Sequence, residues 1–111
     1  METTRKIYRE DELIPFEPTH PGEILKEELE SRGISQRKFA EIIGIPYTAL
    51  NEIVNRKRSI STDFAIMLEA ALGIDAIFWV NLQTRYNMQT ARKDSKLLER
   101  IKRIRRVAAI L

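Results

Sequence analysis

The sequence predicts an all-α chain of five or six short helices, and three observations carry that prediction. Apolar residues recur at spacings of three and four along most of the chain, the repeat of a helix with one buried face. No segment sustains the period-two alternation of a half-buried strand. Gly33, Gly44, Gly73 and the prolines fall between or at the edges of the periodic segments, where they stop helices and make tight turns.

Each element follows from local chemistry. Residues 1–17 read as an extended arm, because Pro15, Pro18 and Pro21 interrupt any helix there and Ile7-Tyr8 and Leu13-Ile14 are its apolar pairs. The first helix opens near Pro21, since proline suits a first turn, and Gly33 closes it; Ile24, Leu25 and Leu29 form its buried stripe. Ser35 caps a second helix, Gln36 to Ile43, whose apolar side is Phe39, Ala40, Ile42 and Ile43. After Gly44, Pro46 opens a third helix that turns Leu50, Ile53 and Val54 inward and ends close to Asn55. Arg56-Lys57-Arg58-Ser59 is a polar connector. Ser61 or Thr62 caps a fourth helix through Leu72, with Phe64, Ala65, Met67, Leu68, Ala71 and Leu72 as its core face and Gly73 as its stop. A fifth helix runs from about Asp75 to Thr90 and a sixth from about Asp94 to the end.

The chain is 111 residues long and 43% hydrophobic, enough for one modest core with short tails. No apolar run reaches the roughly 20 residues of a membrane span, and the first residues lack the apolar stretch of a signal peptide. The cytoplasm is therefore the expected compartment. There is no cysteine, which excludes disulfides and thiolate metal sites. The net charge is only +3, but it is unevenly placed: residues 1–31 hold four Lys/Arg against nine Asp/Glu, and residues 92–111 hold eight against two. An acidic head and a basic tail suit partners of opposite sign. The sole histidine, His20, stands beside two prolines at a helix start and reads as a cap or surface residue. No cofactor is implied. With no nucleophile–base arrangement and no phosphate-cradling glycine loop, an enzyme is not expected.

The informative stretch is Gln36–Asn55, QRKFAEIIGIPYTALNEIVN. Two short helices that cross steeply through a tight turn need a small residue midway along the first, and Ala40 is there. They need a turn residue tolerant of positive φ, and Gly44 follows four positions later. Phe39, Ile43, Ile45, Leu50 and Ile53 would fasten both helices to a core. This is the pattern of a helix-turn-helix. The outward face of the third helix, Pro46, Tyr47, Thr48, Asn51 and Asn55, is polar yet uncharged, and such side chains hydrogen-bond base edges or touch a thymine methyl group. Arg37, Lys38, Arg56, Lys57 and Arg58 would neutralise phosphates, supplying affinity, while Tyr47, Thr48, Asn51 and Asn55 would supply specificity. Glu52, beside them, either accepts from a cytosine amino group or points to solvent.

The segment HPGEILKEELESRGISQRKFAEIIGIPYTALNEIVNRKRSISTDFAIMLEAALG, continued by FWVNLQTRYN at 78–87, resembles the Cro and phage-repressor (XRE) class of helix-turn-helix domains and, more closely, HigA/VapI-type antitoxins. The resemblance implies a lambda-repressor-like five-helix bundle, here with an extra C-terminal helix and a short N-terminal arm. The corresponding divisions are an acidic arm at 1–19, the helix-turn-helix domain at 20–91 and a basic amphipathic helix at 92–111. It also implies a homodimer that represses its own operon at a palindromic double-stranded DNA operator, and a small RelE/HigB-like ribonuclease toxin as partner; a stand-alone repressor or an interaction module without DNA binding are the alternatives. By the same likeness Gln36 would contact a phosphate. The dimer surface is expected on the fifth helix at Trp79, Leu82 and Tyr86, with Phe78 and Leu82 contributing to the monomer core. Glu10, Asp11, Glu12 and Glu17 could cover a basic toxin surface. In the tail, Leu97, Ile101, Ile104, Ala108 and Leu111 form an apolar seam of about two heptads.

Overall fold

The computed structural model describes residues 18–111. Six helices and no strand occur among them: α1 Pro21–Ser31, α2 Gln36–Ile43, α3 Tyr47–Val54, α4 Thr62–Leu72, α5 Ala76–Ala91 and α6 Ser95–Ala108. None is long and apolar enough to cross a membrane. Residues 19–87 form one compact unit, with α1 to α4 and most of α5; residues 88–111 belong to a second.

The caps explain why the helices begin where they do. Ser35, Ser61 and Asp94 each accept a hydrogen bond from a backbone N–H of the following first turn, satisfying donors that have no partner within the helix. His20 does the same for α1. Its Nδ1 accepts from Gly22 N at 2.8 Å, and the ring is buried with its edge against Tyr86, 4.7 Å between centroids. Burial, and secondarily the charge of Arg56, hold the His20 pKa below 6.5, with Glu23 opposing, so the neutral acceptor is the favoured form.

The core of the first unit is built from Leu25 and Leu29 of α1, Phe39 and Ala40 of α2, Leu50, Ile53 and Val54 of α3, Phe64, Ala65, Leu68 and Leu72 of α4, and Trp79 of α5. Ala40 is buried midway along α2, where it permits close approach of α3. Gly22 plays the matching part in α1: a Cβ there would overlap the Ile53 carbonyl, so the start of α1 lies directly on the end of α3. Gln83 ties α5 to the connector before α4, accepting from Ile60 N at 2.8 Å.

Two expectations about core faces are corrected. Ile42 is 56% exposed and Ala71 is also exposed; with Ile43, Met67 and Ala70 they line an open apolar cleft between α2 and α4. On α5, Trp79 is fully buried in the monomer core and offers no surface to a second copy, whereas Phe78 is 42% exposed. Residues 76–80 are apolar in succession, so periodicity cannot say which of them faces in; the buried pair Trp79 and Gln83, four apart, sets the inward side and leaves Phe78 a step around the helix. Leu82 and Tyr86 are half-buried. In the second unit, no residue of α6 is buried, and Ile104 and Val107 are more than half exposed.

Candidate nucleic-acid interface

The start of α2 and the outward side of α3 meet in one polar cluster. Gln36 is the first residue of α2 and is half-buried; its Oε1 accepts from Asn51 Nδ2 at 3.3 Å. The same Asn51 nitrogen donates to the Tyr47 hydroxyl at 3.4 Å. The guanidinium of Arg37 lies over the Tyr47 ring, 4.2 Å from its centroid, a cation–π contact. Asn55 donates through Nδ2 to the Asn51 carbonyl at 2.9 Å, and Thr48 stands exposed one turn before Glu52. Five of the residues expected to read or grip DNA are thus joined in one network: Gln36, Arg37, Tyr47 and Asn51 through their side chains, and Asn55 through the Asn51 carbonyl.

The turn between the two helices is a Schellman closure. Gly44 sits at φ 73°, Gly44 N donates to Glu41 O and Ile45 N to Ala40 O. α3 ends with the same pattern: Arg56 N donates to Ile53 O at 3.1 Å and Lys57 N to Glu52 O at 2.7 Å, with Arg56 at φ 68°. This folds the basic connector back onto the last turn of α3.

The cations of that connector differ in what they touch. Arg56 pairs with Glu23 of α1 at 3.2 Å. Arg58 donates through Nε and Nη2 to Glu52 Oε1 at 2.9 and 2.6 Å. Lys57 and Lys38 are exposed, the latter with a long ion pair to Glu41 at 3.8 Å. Glu52 therefore does not point freely to solvent: it is half-buried and engaged by Arg58. Sequence reasoning missed this pair because it joins a helix position to a connector residue six further on, outside the three- and four-residue spacings that a helix makes legible. The Arg37–Tyr47 and Gln36–Asn51 contacts were likewise invisible, since they join two helices. Glu10, Asp11, Glu12 and Glu17 lie outside the described residues. Among the described residues, no cluster of His, Asp and Glu could hold a metal ion.

The helix-turn-helix family pattern matches residues 25–79, from α1 to the start of α5. Virulence-associated protein I of Dichelobacter nodosus is 40% identical over 78 residues, 69% of this chain and 72% of that relative. The chain belongs to the XRE-type helix-turn-helix family. Among solved structures, an addiction-module antidote protein of the HigA family from Coxiella burnetii is 38% identical, with a TM-score of 0.68 over 77% of this chain and 95% of its own. A Pseudomonas aeruginosa protein crystallised in complex with its 18-base-pair operator DNA is also 38% identical, with a TM-score of 0.69 over 78% of this chain and 95% of its own. In this helix-turn-helix protein α2 and α3 are the two helices that give the family its name.

Proposed function

We propose that this chain is a sequence-specific DNA-binding antitoxin of a type II toxin–antitoxin module, which represses its own operon and neutralises a RelE/HigB-like ribonuclease toxin. The observation that carries the DNA half is the assembled cluster of Gln36, Tyr47 and Asn51, an uncharged hydrogen-bonding face, with the Arg37 cation stacked on Tyr47. Such a face suits base edges at its centre and phosphates at its rim. Its similarity to a protein bound to operator DNA supports the same reading. Gln36, Arg37, Lys38, Arg56, Lys57 and Arg58 would grip the backbone; Tyr47, Thr48, Asn51 and Asn55 would face bases.

One short helix reads only a few base pairs, so a homodimer on a palindromic site, with half-sites roughly 34–36 Å apart, would supply the rest. Leu82 and Tyr86, half-buried on α5, with exposed Phe78 nearby, are the surface for it. The toxin half rests on the likeness to HigA-type antitoxins, and the acidic arm is its docking segment.

The test has two arms. The purified chain should bind the DNA upstream of its own reading frame, with affinity falling steeply as salt rises. Co-expression should rescue growth from the product of a small adjoining reading frame. Promoter binding without rescue leaves a stand-alone repressor; no salt-dependent promoter binding overturns the DNA half.

A further inference from the structure

Glu52 is an unexpected residue on a surface meant for DNA, since a carboxylate repels phosphate. It lies one turn beyond Thr48 on the exposed face of α3, because residues four apart share a side of a helix. Its Oε1 takes two N–H donors from Arg58, and its own backbone carbonyl takes the N–H of Lys57. One residue thus holds the connector twice, through main chain and through side chain. Both partners of the ion pair are about half exposed, 56% for Arg58 and 46% for Glu52. Pairs so exposed add little to stability, so its consequence is directional: the guanidinium is drawn onto the face that carries Thr48 and Asn51.

We propose that Glu52 is a positioning residue, which aims Arg58 at the phosphate backbone bordering the base-reading face. This rests on the DNA-binding reading above. An arginine has five N–H groups in a rigid fork, and Glu52 engages two through Nε and Nη2, leaving three for a phosphate. A carboxylate–guanidinium–phosphate arrangement leaves the arginine anchored from behind and cancels the repulsion that Glu52 alone would cause. An unanchored Arg58 would find phosphates on any DNA; an anchored one does so only where base contacts set the register, so Glu52 raises specificity more than affinity.

The experiment compares the full-length parent, Glu52→Gln, Arg58→Lys and the double variant. Each is titrated with the DNA upstream of the chain's own reading frame and with a shuffled sequence of equal length. Glu52→Gln should bind shuffled DNA as well as the parent or a few-fold tighter, having lost a negative charge. It should bind the upstream DNA about tenfold more weakly, the low end of what one well-placed contact supplies. Arg58→Lys keeps the charge but not the fork, and should lose a similar factor on upstream DNA alone. The double variant should be no worse than the poorer single one, since both break the same unit. If Glu52→Gln strengthens binding to both sequences equally, or the two losses multiply, Glu52 does not position Arg58. A parent that fails to prefer its upstream DNA would instead overturn the DNA reading, and this inference with it.

Discussion

The ends of α2 and α3 close with the same two hydrogen bonds and nearly the same left-handed φ, yet one uses Gly44 and the other Arg56. The surroundings account for the difference. Nothing lies within 4 Å of where a Cβ on Gly44 would stand, so its backbone conformation must be easy in itself. The end of α3 is instead held from outside. Gly22 of α1 presses against the Ile53 carbonyl, which accepts from Arg56 N, and Glu23 takes the Arg56 side chain. Where tertiary contacts hold a turn, the chain can place a cation at a position that favours glycine, and on this protein that position borders the proposed DNA face.

The largest expected effect comes from breaking the outside hold. Gly22→Ala should destabilise the fold by about 3 kcal/mol, as overpacking against rigid backbone does; a denaturant titration with an unchanged m-value would measure it. Gly44→Ala should cost about 1–2 kcal/mol, the penalty of a left-handed non-glycine residue with no clash added. Arg56→Gly should act in the opposite sense, stabilising by about 0.5–1 kcal/mol while removing a charge from the proposed interface. If both substitutions destabilise alike, the two turns do not differ as described.

The smallest effect is a pH dependence at the α1 cap. His20 has its folded pKa lowered by burial and by Arg56, so the unfolded chain takes up a proton first as pH falls. Stability should be full above 6.5 and decline as pH drops through the folded pKa. His20→Asn, which keeps a capping oxygen, should abolish that slope in thermal melts recorded at several pH values.

Much of the fold was legible because its signals are local. Ser35 and Gly44 bracket α2 as the sequence places them, and of the two caps the sequence offers for α4, Ser61 and Thr62, the structure uses Ser61, with Gly73 as the stop. What was not legible depends on tertiary placement. Ile42 and Ala71 carry the apolar character of core positions but line an open cleft. Trp79 and Phe78 exchange their expected places because five apolar residues in a row carry no phase. At the candidate site, residue types on one helix face pointed to the proposed reading surface. Their partners could not be read, since Gln36–Asn51, Arg37–Tyr47 and Glu23–Arg56 each join different parts of the chain.

The surface around Asn51 is the part proposed to distinguish one DNA sequence from another. The most direct measurement is the ratio of affinities for the chain's upstream DNA and a shuffled sequence, at one fixed salt concentration, for the parent and for Asn51→Ala. Loss of one base contact predicts a ratio smaller by a factor of roughly 5–150, equivalent to about 1–3 kcal/mol, with affinity for the shuffled sequence unchanged. A variant that discriminates as well as the parent would place the reading surface elsewhere on the molecule.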